Sequence, residues 1–246
     1  MKKYKPSKTI LIVLRSSIVW VIMSILVFPY SLLSLTLYTV NVQTRHKIIC
    51  TWGRVFSFLV KYVCRVNYSV KGLENLPKTP SIIASNHQSA FETFTYVSIF
   101  PQHVWILKHE LTRIPFFGWA LSTLSPIAIN REDKLAASQQ ILKQGIRRIR
   151  KGLWILVFPE GTRANPRAML PFKTGIARMA QNLKIPVVPV SVNSGFCMPK
   201  NSFCIYPGTV EIVIDKPIMV EENETVDNLT ARIETVIRNN LDKISG

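Results

Sequence analysis

The chain has 246 residues, enough for one sizeable core, and nothing in its composition marks a second catalytic domain. Its 31 Lys and Arg against 14 Asp and Glu give a formal net charge of +17. Such a balance favours an anionic partner, whether nucleic acid, an anionic bilayer or a phosphorylated substrate, and does not choose among them.

From Ser16 through Thr44 no side chain is charged, and the span contains the run Ile18-Val19-Trp20-Val21-Ile22-Met23-Ser24-Ile25-Leu26-Val27-Phe28. About 20 apolar residues cross a bilayer core, so a retained membrane segment is expected. Lys2, Lys3, Lys5 and Lys8 also resemble the basic start of a cleaved signal peptide, but the apolar stretch is too long and no small-x-small cleavage site follows. Pro29 divides the span into Ile10 to Phe28 and a second candidate from Leu32 onward, so a re-entrant hairpin competes with a single crossing. Cations flank both ends, at Lys2 to Lys8 and Arg15 and again at Arg45, Lys47 and Arg54. That symmetry leaves a single span unoriented and suits a hairpin with both ends cytoplasmic.

In the next segment Lys47, Arg54, Lys61 and Arg65 fall within about 40° of one another on a helix, with Ile48, Trp52, Val55, Phe56 and Leu59 around them. The pattern predicts a helix lying at an anionic membrane surface, with an ordinary amphipathic packing helix as its rival. Cys50, Cys64, Cys197 and Cys204 form no CxxC pair and no zinc-type spacing. Cys50 and Cys64 on one helix would be about 21 Å apart, too far for a disulfide, so the thiols read as reduced and the domain as facing the cytosol.

After Tyr68 short apolar runs alternate with longer periodic segments. Ser81 to Ser85, His103 to Leu107, Pro126 to Asn130, Leu153 to Phe158 and Val187 to Val192 read as strands, with Val210 to Ile214 as a further one. Ser89 to Ile99, Leu111 to Thr123, Asp133 to Lys151, Lys173 to Leu183 and Val226 to Ile244 read as helices. The alternation predicts an α/β fold, a mixed, mostly parallel sheet covered by helices, preceded by an N-terminal membrane-associated helical motif. The expected division is 1–68 for the anchoring and interfacial helices and 69–246 for the catalytic domain. Lys143, Arg147, Arg150 and Lys151 read as a solvated helix face.

Two clusters carry chemistry. The stretch Asn86-His87-Gln88-Ser89-Ala90-Phe91-Glu92 follows a strand pattern. On one regular helix His87 and Glu92 would point about 140° apart. They meet only if His87 sits in the strand-to-helix turn, with Asn86 or Ser89 as the cap. A carboxylate on one imidazole nitrogen then fixes the tautomer and leaves the other nitrogen to accept a proton. The plain alternative is a capping His beside an exposed Glu. The second cluster, Phe158-Pro159-Glu160-Gly161-Thr162-Arg163, leaves another strand pattern with an unrestricted Gly, a hydroxyl and a guanidinium, which suits a phosphate or other oxyanion. Its plain alternative is a polar turn with a surface ion pair.

Four ordered segments over most of residues 80 to 195 resemble the glycerolipid acyltransferases, specifically the 1-acyl-sn-glycerol-3-phosphate acyltransferases. The first is the His87 to Glu92 block, matching the HxxxxD pattern with Glu where Asp is usual. The second runs from Lys108-His109-Glu110-Leu111 through Pro115 and Gly118 to Ile127-Ala128-Ile129-Asn130-Arg131. Phe158 to Arg163 followed by Pro171-Phe172-Lys173-Thr174-Gly175 is the third, and Ile185-Pro186-Val187-Val188-Pro189-Val190 the fourth. Ser125 stands where the family often has Gly.

The resemblance implies transfer of a fatty acyl chain from acyl-CoA or acyl carrier protein (acyl-ACP) to the sn-2 hydroxyl of lysophosphatidic acid, giving phosphatidic acid for phospholipid biosynthesis. It assigns His87 as general base, Glu92 as its orienter, and Arg163, with Lys108 and Arg131 as lesser candidates, to the phosphate. Glu160, Gly161 and Thr162 shape the acceptor loop. No metal or redox cofactor is implied, the partners are membrane lipid, lysophosphatidic acid and the acyl thioester, and the setting is a bacterial inner membrane with the site facing the cytoplasm. The motifs fix the reaction better than the acceptor, so another lysophospholipid or glycerol-3-phosphate is the nearest alternative. A non-catalytic membrane adaptor accounts for residues 1 to 65 but not for the four segments. A hydrolase lacks the GxSxG elbow, a zinc peptidase fails because Arg113 follows His109-Glu110 where HExxH needs His, and nucleic-acid binding lacks a base-reading motif.

Overall fold

The computed structural model describes residues 6–130, 134–166, 168 and 170–245. Among these residues seven strands form one sheet: β1 (Val66–Lys71), β2 (Ile82–Ser85), β3 (His103–Lys108), β4 (Ile127–Ile129), β5 (Trp154–Val157), β6 (Val187–Val192) and β7 (Gly208–Ile214). Their spatial order is β1-β7-β6-β2-β5-β3-β4, and every neighbouring pair is parallel except β6 with β7. The expected mixed, mostly parallel sheet is therefore what forms. Strands β2, β5 and β6 are buried along their whole length, as their unbroken apolar runs require when both faces are covered.

Among the described residues eight α-helices complete the fold: α1 (Pro6–Thr36), α2 (Val42–Ile49), α3 (Thr51–Tyr62), α4 (Ala90–Thr95), α5 (Phe117–Thr123), α6 (Lys134–Arg150), α7 (Gly175–Leu183) and α8 (Val226–Ser245). One face of the sheet packs Val19 and Met23 of α1, Phe56 and Val60 of α3, and Phe91 of α4. The other packs Ile176 and Met179 of α7 and Leu229, Ile233 and Ile237 of α8. The basic residues Lys143, Arg147, Arg150 and Lys151 are all exposed, in keeping with a solvated face.

Pro29 does not divide the apolar span. α1 runs through it as one helix, long and apolar enough to cross a membrane by length and composition. A proline removes one backbone donor, and an apolar helix continues past that gap because the surroundings offer its backbone no better partners than its own. Ile10, Leu14, Val21, Ile25, Phe28 and Leu32 of α1 are exposed. Its inner side is fixed by polar contacts: Trp20 Nε1 donates to Phe203 O at 2.9 Å, the Ile205 N–H donates to Ser16 Oγ at 2.8 Å, and Ser31 Oγ donates to Phe116 O at 2.9 Å.

The basic segment expected as one helix is two. α2 and α3 are separated at Cys50, where Thr51 Oγ1 takes the Ile48 carbonyl and pairs with the Tyr30 hydroxyl at 2.7 Å, competing with a continuous ladder. Arg65 lies beyond α3 with φ 59°. Lys47, Arg54, Lys61 and Arg65 are nonetheless all exposed, and Phe58 and Tyr62 beside them are exposed too. All four cysteines are free.

Two further differences concern boundaries. β1 was not expected as a strand, yet Val66 to Lys71 alternates in burial and pairs with β7, so residue 68 falls inside the sheet. The helix expected over Leu111 to Thr123 is interrupted at Pro115: a 3₁₀ turn covers His109–Arg113 and α5 starts at Phe117. Ser89 to Ile99 likewise holds only the short α4 followed by a 3₁₀ turn at Tyr96–Ser98.

Ser125, standing where the resemblance leads one to expect glycine, keeps the turn before β4 by adopting φ 58°. Its carbonyl accepts Arg148 Nε at 2.6 Å, which holds the turn in place. Left-handed backbone costs a residue with a side chain about 1–2 kcal/mol, while a glycine adds about 0.5–1 kcal/mol of chain entropy to lose on folding. Ser125→Gly should therefore raise stability by up to about 1 kcal/mol. A denaturant midpoint below that of the parent would contradict this account of the turn.

Candidate active site

The turn from β2 into α4 is where His87 sits. Ser89 is the helix cap: its side chain accepts the Phe91 N–H at 3.0 Å, and Glu92, three residues on, accepts the Ser89 N–H at 3.0 Å. This reciprocal capping box turns the Glu92 side chain back toward the start of the helix. Oε2 of Glu92 thereby lies 3.1 Å from His87 Nδ1. The longer arm of Glu, where the resemblance leads one to expect Asp, reaches the ring. Glu92 is fully buried, while the His87 side chain keeps 13% exposure. The Phe158 ring stacks on the imidazole at 3.9 Å and 12°, fixing its plane. With Nδ1 engaged by the carboxylate, Nε2 is the nitrogen left to meet a ligand.

The second cluster wraps the same peptide. Glu160 Oε1 accepts the His87 N–H at 3.3 Å, and the Ala164 N–H donates to His87 O at 2.8 Å, so the loop from 160 to 164 holds both sides of His87. Gly161 has φ 71°, and a Cβ there would come within 2.9 Å of Lys173 Nζ. The Lys173 side chain thus lies over the loop, and the Lys173 backbone N–H donates to Pro159 O at 3.0 Å. Burial pushes the Glu160 carboxyl up to about 7, against the pull of the His87 N–H and with the Glu92 charge adding to the rise. Its Oε2 is buried without a partner among the described residues.

His87, Gly161, Thr162, Arg163, Lys173 and Lys108 line one cavity of about 1410 Å³. Its remaining wall includes Trp52, Phe94, Trp105, Leu107, Leu121 and Leu124, so a cationic, hydrogen-bonding region adjoins an apolar chamber. The expected site residues therefore meet, with two qualifications of place. Glu160 is tied beneath His87 and is not among the lining residues, and Arg131 lies outside the described residues. Among the described residues no cluster of three or more His, Cys, Asp or Glu side chains is arranged to hold a metal ion.

Sequence reasoning gave Lys173 no role, although it stands in the Pro171 to Gly175 block, and it missed the apolar chamber altogether. Gly53 is part of that wall and has no room for a side chain, since a Cβ would lie 2.4 Å from Phe94 O. A glycine inside an otherwise apolar helix pattern was the available signal.

The sequence model of the family described as Acyltransferase matches residues 67–193. The chain is 40% identical over 201 residues to a 1-acyl-sn-glycerol-3-phosphate acyltransferase of Pseudomonas aeruginosa, covering 80% of this chain and 78% of that protein. It is 33% identical over 190 residues to the 1-acyl-sn-glycerol-3-phosphate acyltransferase of Saccharomyces cerevisiae, covering 75% and 62%. A chloroplastic 1-acyl-sn-glycerol-3-phosphate acyltransferase of Brassica napus is 36% identical over 153 residues, covering 61% and 44%. The crystal structure of the 1-acyl-sn-glycerophosphate acyltransferase of Thermotoga maritima superposes with a TM-score of 0.74 at 21% identity, covering 96% of this chain and 98% of that one.

Because the Glu160 carboxyl is raised from 4.5 to about 7, the folded protein binds more protons than the unfolded chain between those values. Stability should therefore fall as pH rises through that window and level off above it. Glu160→Gln keeps an oxygen for the His87 N–H but has no proton to lose. Its unfolding temperature should decline less than the parent's between about pH 5 and about pH 8, and an equally steep decline would show that another group sets the slope.

Proposed function

The chain belongs to the acyltransferase family, and from that premise we propose that it acylates the sn-2 hydroxyl of 1-acyl-sn-glycerol 3-phosphate, with His87 as base and Glu92 as its orienter. The enzyme is a 1-acylglycerol-3-phosphate acyltransferase: it takes a fatty acyl group from a thioester and forms phosphatidic acid. The single observation that carries the assignment of roles is the His87–Glu92 pair, held on the wall of a cavity whose lining joins cations to apolar side chains.

Each part of the reaction has a counterpart in the site. His87 Nε2 accepts the proton of the acceptor hydroxyl as its oxygen attacks the thioester carbonyl carbon. The C–S bond then breaks, and the thiolate leaves with the proton carried by His87. Glu92 stabilises the imidazolium while it lasts. A thiolate is a good leaving group, with a pKa near ~8.5, so direct attack needs no acyl-enzyme. Arg163 and Lys173 hold the acceptor phosphate, Arg163 with a planar fork and Lys173 as a point charge, and Lys108 and Arg131 contribute from the end of β3 and the segment after β4. Gly161 and Thr162 shape the loop, while Glu160 acts from beneath by fixing the His87 peptide. Trp52, Phe94, Trp105 and Leu121 line the space for an acyl chain.

The donor is acyl-CoA or acyl-ACP. The N-terminal helices anchor the chain to a bacterial inner membrane, with the sheet domain from β1 onward on the cytoplasmic side. The exposed apolar side of α1, the exposed cations with Phe58 and Tyr62, and four free cysteines support that placement.

Detergent-solubilised protein given a labelled acyl thioester and lysophosphatidic acid should form phosphatidic acid, and His87→Ala should lose about 10²- to 10⁴-fold in kcat while remaining folded. Near-normal turnover by that variant would remove His87 from the role of base. Arg163→Ala should raise the KM for the phosphate acceptor about 10- to 100-fold, the worth of a hydrogen bond to a charged group. Unchanged KM and kcat would place the phosphate elsewhere.

A further inference from the structure

The Glu92 carboxylate is fully buried, and a buried carboxylate needs donors on both oxygens. Oε2 has His87 Nδ1 at 3.1 Å and the Ser89 N–H at 3.0 Å. Oε1 is met by the hydroxyl of Ser194, a residue 102 positions away in sequence, with Ser89 Oγ at a longer 3.4 Å. The hydroxyl protons have one consistent order. The Phe91 N–H donates to Ser89 Oγ at 3.0 Å, Ser89 Oγ donates to Ser194 Oγ at 2.9 Å, and Ser194 Oγ donates to Glu92 Oε1. Ser89 has a single hydroxyl proton, so once it is given to Ser194 the close donor to Oε1 is Ser194.

Ser194 is held where it can do this. It follows β6, whose last residue Val192 exchanges two bonds with the Asn86 side chain at 2.9 and 2.8 Å. The Gly195 N–H donates to Gln88 Oε1 at 2.9 Å. Asn193 accepts the Glu211 N–H at 2.7 Å and donates to Ile244 O at 2.6 Å. Gly195 has no space for a Cβ, which would fall 2.8 Å from Pro166 Cγ. The turn after β6 is therefore tied to the turn that carries His87 through Val192, Ser194 and Gly195, and to β7 and α8 through Asn193.

We infer that Ser194 is a positioning residue of the acyl-transfer centre: it holds the second oxygen of Glu92 so that the first stays on His87 Nδ1 and Nε2 faces the acceptor hydroxyl. This rests on the function proposed above. It also accounts for Glu at position 92, because a carboxylate one methylene shorter would draw back from Ser194 and depend on the capping N–H and the imidazole alone.

The test uses the full chain with Ser194→Ala and Ser194→Thr, each made with Glu92 and with Glu92→Asp. With Glu92, Ser194→Ala should lower kcat about 10- to 100-fold, as loss of an outer partner of an orienting carboxylate does, with both substrate KM values within about twofold and the threonine variant restoring most of kcat. In the Glu92→Asp background the same alanine should cost less than about threefold, since there is no contact left to remove. A kcat within about twofold of the parent, or the same fractional loss in both backgrounds, overturns the proposal. Where turnover of the parent or of the aspartate background is too low to read, ¹⁵N shifts of the His87 ring decide. A fall in the Nδ1–H tautomer in Ser194→Ala upholds the role of Ser194, and an unchanged ring spectrum ends it. Absence of product from the folded parent counts against the proposed reaction and leaves the ring measurement to judge Ser194 separately.

Discussion

Glu92 lies fully inside the protein, where an ionised carboxylate without donors would cost several kcal/mol, and most of the site's architecture answers that cost. The capping box supplies one N–H, the imidazole another donor, and the turn after β6 a hydroxyl. Two of these donors come from the turn between β2 and α4 and the third from the turn after β6, so the two turns must meet before the charge is tolerated. A carboxylate satisfied in this way has little freedom to rotate. The same contacts that offset its burial therefore determine which nitrogen of His87 is free.

The sheet topology explains why residues so far apart in sequence can share this work. β5, β2 and β6 are parallel neighbours, so the loops leaving their C-terminal ends emerge side by side at one edge of the sheet. Those loops are the segments around His87, around Glu160 and around Ser194. A parallel sheet requires a long crossover between neighbours, which is why the segments are spaced by tens of residues in the chain and by hydrogen-bond distances in the fold. Glu160 shows the consequence. Its carboxyl is spent on the backbone of His87 from the adjacent strand and is pushed up to about 7 by the burial this entails.

Much of this was legible before the fold was known. The fully buried strands announce themselves as apolar runs, and the His87 turn could be placed because five residues of regular helix would separate His87 from Glu92. What escaped depended on information outside any local window. β1 has the period-two alternation of a strand, but its partner β7 lies some 140 residues away and nothing near it marks the pairing. Pro29 reads as a helix breaker in water and is not one within an apolar helix. Cys50 separates two helices because Thr51 meets Tyr30 of α1, a tertiary contact. Ser194 belongs to the same category: a serine in a polar turn has no distinguishing sequence signal, and the role proposed for it rests on β6 lying beside β2.

The cavity also clarifies where selectivity has to come from under the proposed reaction. A lysophospholipid leaves a bilayer in which its acyl chain is already surrounded by hydrocarbon. Moving that chain into a chamber walled by Trp52, Phe94, Leu107 and Leu121 changes its surroundings little, so the hydrophobic gain relative to the membrane is small. Preference for one acceptor must then rest on the polar end, where Arg163 and Lys173 face the same space as His87. Under the proposed reaction, the apolar chamber would decide which chains fit and the cations which headgroup stays long enough to react. The net charge of +17 follows the same division, because cations exposed beside Phe58 and Tyr62 favour an anionic surface while Arg163 and Lys173 in the cavity are the ones proposed to meet the acceptor phosphate.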